Sequence, residues 1–368
     1  MTERFSLKDL RKQAAVGAAL GFLFTLLMGL RNGPQFFRSY LLAYLIFFGL
    51  AVGCLGVLLT YLMTGGAWGR ASCRVFLAGV RTLPWTAVLF IPVLLGLRYI
   101  YPWTHIAQWT GYSAGHKRIF FNLPFFVIRS AVYFAFWCWC GARLQARARP
   151  GSEGIDLRGG RMLGGVGLVF YVLSVSFAAF DWIMSLEPYW ASSIYGAMIL
   201  MGHVLSAFAF ALVVLAWLAQ RSPEAFPVSD DAAHDLGNLL LAFVILWAYM
   251  ALSQYLIIWS GNLPSEIPWY LARQRGGWQA VAVLLVLLQF FLPFFLLLAR
   301  RNKRRLESLG KVALIVLVVR FIDVFWLVVP DFSPAKFSLH VADFSTTLLV
   351  GGLWLIAFCH GLQEEPAR

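Results

Sequence analysis

The sequence has few charged residues. Asp, Glu, Lys and Arg make up 13% of its 368 residues, whereas hydrophobic residues make up 60%. A soluble globular protein usually has about 25% charged and about 45–50% apolar residues. A chain of this length could not bury so much apolar surface in a water-soluble core. The composition excludes a soluble enzyme, a disordered chain and a nucleic-acid-binding domain, and it predicts a polytopic membrane protein.

The sequence also lacks the motifs that hold redox centres or nucleotides. Its cysteines do not form a CxxCH or CxxC motif, and no Gly-rich phosphate loop is present. An ATP-driven pump is therefore excluded for this chain alone. We predict that the cysteines pack as small apolar residues and that the chain carries no metal or other cofactor of its own. The five cysteines are Cys54, Cys73, Cys138, Cys140 and Cys359.

Long apolar runs are abundant. A bilayer core about 30 Å thick needs about 20 apolar residues in a helix. The first run follows four basic residues and lacks a small-residue cleavage site, which predicts a retained helix rather than a signal peptide. We predict an all-α protein with one membrane domain over residues 1–368. Its ten helices are predicted near residues 14–30, 41–64, 75–97, 119–141, 162–184, 191–218, 236–260, 278–298, 312–329 and 342–362.

The basic residues predict the orientation. If the N-terminus is cytoplasmic, 19 Lys and Arg residues lie inside and 8 lie outside. Because cytoplasmic loops are enriched in Lys and Arg, both termini are predicted to be cytoplasmic. The remaining three basic residues, Arg81, Arg129 and Arg320, lie within spans.

Ionisable residues within spans are the candidate functional residues. Each costs about 2.5–3.5 kcal/mol on insertion scales and faces protein or water. Arg320 and Asp323 share one face of the ninth span. They form either a self-neutralised structural pair or a station for a proton or ligand. His203 in the sixth span is either a neutral histidine bonded to a neighbouring helix or a proton carrier.

The other intramembrane arginines are predicted to pair helices. Arg81 in the third span can also reach toward the cytoplasmic face. Arg129 in the fourth span is too central for that, and Asp181, Asp323 or a backbone carbonyl could serve as its partner. Asp181 and Glu187 stand at the outer end of the fifth helix. They are either solvated interfacial acids or part of a proton exit or partner contact.

Three stretches in the middle of the chain resemble one known family. They are FDWIMSLEP (180–188), HDLGNLL (234–240) and WAYMALSQYLIIW (247–259), the last continuing into GNLPSE (261–266) and WY (269–270). Downstream, PF (293–294), the basic turn 300–305 and RFID (320–323) fit the same pattern. The sequence resembles the F subunit of bacterial alternative complex III, a quinol:cytochrome c oxidoreductase. That subunit is related to the NrfD and polysulfide-reductase membrane anchors.

This resemblance implies two four-helix bundles, the second to fifth and the sixth to ninth helices, plus two further helices. It implies a bacterial plasma-membrane location in an electron-transport complex of the respiratory chain. The implied partners are a homologous NrfD-like membrane subunit, multihaem cytochrome c and iron–sulfur subunits. Haem c and the iron–sulfur clusters are expected in those partners, with a quinone nearby. We assign five candidate proton-route residues: Asp181, Glu187, Arg320 and Asp323 on this resemblance, and His203 on its depth in the sixth span.

The predicted function is that of a cofactor-free membrane subunit in quinol oxidation, structural and proton-conducting, and not catalytic alone. One alternative is a quinone-binding subunit in which His203 and nearby aromatic residues hold the headgroup. A second alternative is a secondary transporter, which would require inverted repeats and paired broken helices.

Overall fold

The computed structural model describes residues 7–105, 120–148 and 154–363. Within these ranges no β-strand is present, and one isolated bridge joins Ala148 to Ile155. Ten helices there are long and apolar enough to span a membrane, which confirms the predicted all-α polytopic class. They are α1 (Leu7–Arg31), α2 (Gly33–Thr64), α3 (Ala67–Leu95), α4 (Leu123–Gln145), α5 (Arg161–Leu186), α6 (Tyr195–Arg221), α7 (Asp230–Gly261), α8 (Trp278–Leu298), α9 (Leu306–Asp331) and α10 (Val341–Gln363).

Several helices begin before their apolar runs, at polar caps. The side chain of Asn32 accepts a hydrogen bond from the backbone N–H of Gln35 at 3.2 Å, so that α2 begins at Gly33. Ser229 caps α7 in the same way through the N–H of Ala232 at 3.1 Å. Such caps satisfy N–H groups that the first turn leaves unpaired. A hydropathy scan measures the bilayer-spanning part of a helix and misses these polar turns.

Two helices are irregular. α3 consists of Ala67–Val80, Leu83–Leu89 and Ile91–Leu95, and a proline stands in the first turn of the second and third pieces. Proline lacks an N–H group and fits best in a first helical turn, which explains why the helix restarts there. The predicted span over residues 75–97 thus corresponds to α3, whose interruptions the apolar run does not indicate.

α8 contains a π-helical turn, Val286–Phe291, directly before its last piece, Leu292–Leu298. Pro293 stands in the first turn of that piece, at the end of the irregular segment. Gln289, within the π turn, is fully buried. Neither its amide nitrogen nor its amide oxygen has a hydrogen-bond partner in the part of the chain that the structure describes.

The helices pack as two four-helix bundles plus one pair. The first bundle is α2–α5 and the second is α6–α9, and α2 packs against α6 between them. α1 pairs with α10, and this pair lies against α2. Consecutive spans alternate in direction. We call the side on which α1 begins the near face and the side on which it ends the far face.

Small residues on α2 bring the two bundles close together. Gly49 and Gly53 are spaced as in a GxxxG motif, which allows close helix contact in membranes. A Cβ atom at Gly49 would collide with the imidazole of His203, and one at Gly53 would collide with the His203 carbonyl. α2 and α6 are accordingly the most deeply buried spans.

Five of the basic residues used to predict the orientation lie outside the described residues: Arg4, Lys117, Arg118, Arg149 and Arg368. The same holds for residue 119, the predicted start of the fourth span; α4 begins at Leu123, after the cap residue Asn122.

Candidate functional site

The centre of the second bundle holds a buried ion pair between Arg320 and Asp323, both on α9. Their side chains are 3% and 5% exposed, and Arg320 Nη1 donates to Asp323 Oδ2. Arg320 Nε also donates to Ser206 Oγ on α6 at 3.1 Å. A Cβ atom at Gly202 would collide with the guanidinium, so a glycine there makes room for it. The pair thus connects α9 to α6 in the middle of the membrane.

His203 follows Gly202 on α6 but packs against the other bundle. Its imidazole lies against Gly49 of α2 and makes an edge-to-face contact with Phe48, with ring centroids 5.7 Å apart. Among the described residues it has no hydrogen-bond partner. The interpretation as a histidine bonded to a neighbouring helix is therefore not supported, and His203 is a tightly packed residue at the interface between the bundles.

The first bundle holds a second buried pair, Arg129 on α4 and Asp181 on α5. Arg129 Nε donates to Asp181 Oδ2 at 2.9 Å, and Nη2 donates to Oδ1 at 2.6 Å. Tyr133 donates its hydroxyl to Asp181 Oδ2 at 2.9 Å. Arg129 also donates to the Phe120 carbonyl at 3.1 Å and lies 3.9 Å from the centroid of that ring.

Asp181 is the partner of Arg129 among the alternatives that the sequence left open. It is fully buried, so its interpretation as a solvated acid at the rim was wrong. The sequence could not show this, because the depth of a residue near a helix end depends on the loops that cover it. Here Tyr101 covers the helix end, donating its hydroxyl to the Trp182 carbonyl at 3.0 Å. Burial raises the pKa of Tyr101 well above its usual value, and the charge of Asp181 raises it further.

Aromatic packing separates the first pair from the centre of the molecule. The Trp182 ring, next to Asp181 in sequence, lies 5.0 Å from that of Phe48, which in turn contacts His203. The ring centroids of Phe90 and Phe134 lie 4.6 and 5.6 Å from that of Trp182. The five candidate route residues therefore do not form one cluster.

A third buried pair stands at the far face of the second bundle, and the sequence analysis missed its role. Arg273, on the short helix Ile267–Arg273, was counted as a loop charge, but it is fully buried. Its Nη2 lies 2.8 Å from Asp331 Oδ1 and donates to the Leu327 carbonyl at 2.7 Å. The guanidinium also stacks 3.5 Å from the ring centroid of Trp269.

Two spacings in the sequence could have indicated this pair. Trp269 and Arg273 are four residues apart, which places the ring and the guanidinium on one helix face. Asp331 lies eight residues after Asp323, about two helical turns further along the ninth span.

Glu187 belongs with this third pair. A cavity of about 310 Å³ at the far face is lined by Glu187, Trp190, Trp269, Arg273 and Asp331, together with several prolines. Glu187 is half-buried there. The structure thus places the five candidate route residues in four positions: Asp181 in the first bundle, His203 at the interface between the bundles, Arg320 and Asp323 at the centre of the second bundle, and Glu187 at the far face.

Arg81 links the α1–α10 pair to the first bundle. Its Nη1 donates to the Gly361 carbonyl near the end of α10. This position fits the predicted role in helix pairing, because a cation near a helix C-terminus satisfies carbonyl groups that lack intrahelical partners.

Among the described residues, no three His, Cys, Asp or Glu side chains are grouped so that they could hold a metal ion. All five cysteines are free. Haem and iron–sulfur clusters in partner subunits stay a prediction. A comparison of the sequence with protein-family models and with curated proteins found no match.

Proposed function

We propose that this chain is an integral membrane subunit of a quinol:cytochrome c oxidoreductase of the alternative complex III type, in which it is structural and conducts protons through its second bundle. The observation that carries the proton role is the buried Arg320–Asp323 pair at the centre of that bundle. The sequence motifs over residues 180–270 and 293–323 support the type of complex.

The chemistry of quinol oxidation requires proton transfer. A quinol loses two electrons and two protons when it becomes a quinone, and c-type cytochromes accept the electrons one at a time. A carboxylate in the membrane interior is costly, so it is retained where it is used or paired. Asp323 is paired with Arg320, and the Ser206 hydroxyl extends the polar chain to α6. We assign Asp323 as the proton-carrying group and Arg320 as the residue that positions it.

The alternatives have less support from the geometry. A quinone headgroup at His203 would need space that α2 occupies, because Gly49 and Gly53 pack directly on this residue. A transporter built from inverted repeats would have its two halves in opposite orientations. Here α2 and α6 both run from the far face to the near face, so the two bundles have the same orientation.

The location follows from the same proposal. The near face carries most of the basic residues, which favours a cytoplasmic position for it and for both termini in a bacterial plasma membrane. The far face, with Glu187 and the cavity, then faces the periplasmic partners.

A tagged pull-down from mildly solubilised native membranes tests the proposal. The sample is stained for covalent haem and its subunits are identified by mass spectrometry. We expect multihaem cytochrome c, iron–sulfur subunits and a second NrfD-like membrane subunit to copurify. A clean homo-oligomer without haem would contradict the proposal and favour the transporter.

A further inference from the structure

We propose that Asp331, positioned by Arg273, is the group through which protons pass between Asp323 and the far face, where Glu187 lines the exit. This inference rests on the proton role proposed above. It adds two residues, Arg273 and Asp331, and it assigns the exit to the second bundle rather than to Asp181.

The end of α9 connects the two acids. Asp323 lies in its α-helical part, which ends at Val328, and Asp331 closes the 3-10 turn Val329–Asp331 that follows. At about 1.5 Å per residue in the α-helix and about 2 Å in the 3-10 turn, the backbones of the two acids are about 13 Å apart along the helix axis. The guanidinium of Arg273 binds this end of α9 at both the Leu327 carbonyl and Asp331.

Arg273 is held in place without Asp331. Its Nη1 donates to the Trp269 carbonyl at 3.1 Å, and its Nε donates to the Trp326 carbonyl at 3.3 Å. With the bond to Leu327, three backbone oxygens bind the guanidinium. Asp331 can therefore gain and lose a proton while the guanidinium keeps its position.

Asp331 has one carboxylate oxygen available. Its Oδ1 accepts from Arg273, whereas its Oδ2 accepts no hydrogen bond from the described residues. Asp331 also lines the 310 Å³ cavity. At about 30 Å³ per water, the cavity has room for about ten water molecules. A proton on Oδ2 can pass through such water to the carboxylate of Glu187, which lines the same cavity.

Two buried indole groups in this region lack a hydrogen-bond partner. Trp190 Nε1 and Trp326 Nε1 are buried without one in the described part of the chain. Trp190 lines the cavity, and Trp326 lies between Asp323 and Asp331 in the sequence of α9. A buried donor without a partner is costly, so each indole would favour water that enters from the cavity.

The experiment measures the protons released at the far face per electron during quinol oxidation by the purified complex in vesicles, since protons that cannot take this exit appear on the other side. We expect Asp331→Asn to lower the number of protons released per electron by the same fraction as Asp323→Asn, relative to the wild type. Because Asp331→Asn leaves the charge of Arg273 uncompensated, the double variant Arg273→Gln/Asp331→Asn is measured with it; it restores neutrality and we expect it to assemble without recovering proton release. Asp343→Asn is the matched control, since Asp343 is a buried far-face acid on α10, outside both bundles, and accepts a hydrogen bond from Ser39 of α2 at 2.5 Å.

The outcomes separate this inference from the proposed function. If Asp323→Asn lowers proton release and the double variant keeps the wild-type ratio, the exit at Asp331 is wrong and the proton role of Asp323 stands. If Asp323→Asn also keeps the wild-type ratio, the proton role itself is wrong.

As a separate check, Ala272→Cys in the cavity wall should react with a membrane-impermeant thiol reagent added at the far face, compared with the parent chain. Absence of labelling would overturn the open exit.

Discussion

The two bundles contain far-face Arg–Asp pairs of the same chemistry in different surroundings. In the first bundle, both oxygens of Asp181 are occupied by Arg129 and Tyr133, and the carboxylate has no exposure. In the second bundle, Asp331 uses one oxygen for Arg273 and borders a cavity. The presence of an Arg–Asp pair alone therefore does not distinguish these two far-face sites. An available oxygen next to space for water distinguishes a pair that can exchange protons from one that holds helices together.

The largest effect should come from removing one partner of a central pair. Arg320→Ala leaves Asp323 as an uncompensated buried charge, which typically costs about 3–5 kcal/mol. We expect impaired assembly and a lower melting temperature in detergent. The control Arg320→Met/Asp323→Leu removes both charges and should recover most of the stability. Normal stability of Arg320→Ala would show that the pair does not form.

The second effect is on activity and separates the bundles directly. Asp323→Asn should lower proton release per electron, because the asparagine oxygen still accepts a hydrogen bond from Arg320 but has no titratable proton. The complex should still assemble, at a lower melting temperature, since Arg320 loses its counter-charge. Asp181→Asn, the same change in the first bundle, is the comparison. A larger loss of proton release from Asp181→Asn than from Asp323→Asn would reverse our assignment of the two pairs.

A smaller loss of stability should follow when the first pair loses its second donor. Tyr133→Phe removes one hydrogen bond to the charged Asp181 and should cost about 1.5–3 kcal/mol. Ser206→Ala removes the corresponding neutral partner of Arg320 in the second bundle. Thermal unfolding of both variants would show which of these two hydrogen bonds contributes more to stability. We expect the larger shift for Tyr133→Phe, because Ser206 is a neutral acceptor whereas Asp181 is charged, and equal shifts would contradict this order.

The smallest effect should appear only in alkali. The folded-state pKa of Tyr101 is raised, mainly by burial and further by Asp181, whereas for Tyr270 burial raises the pKa and Arg273 opposes it. An unfolded tyrosine ionises near pH 10, so stability is complete below that pH and falls as pH rises above it. We expect the melting temperature to fall less between neutral and alkaline pH in Tyr101→Phe than in Tyr270→Phe. Thermal unfolding across this pH range measures the difference. The opposite order would contradict the role of Asp181.

The pairing of Arg320 with Asp323 could be predicted because both residues lie on one helix, where spacing decides which side chains meet. The partner of Arg129 could not be chosen, because Asp181 and Asp323 lie on different helices and only packing brings one of them close. Arg273 was assigned to a loop because a short amphipathic helix outside the bilayer leaves no long apolar run. Its burial depends on Trp269 and Trp326, which come from two separate segments.

The sequence by itself determined the membrane class, the ten spans and the helix faces that carry ionisable residues, because the thickness of the bilayer and the helical period act on local stretches of chain. Only the tertiary structure decided in which pair both carboxylate oxygens are hydrogen-bonded and in which pair one oxygen is available. That depends on contacts between residues far apart in sequence, such as Arg129 with Asp181 and Arg273 with Asp331. It also depends on where the packing leaves space for water, and no local pattern in the sequence specifies that.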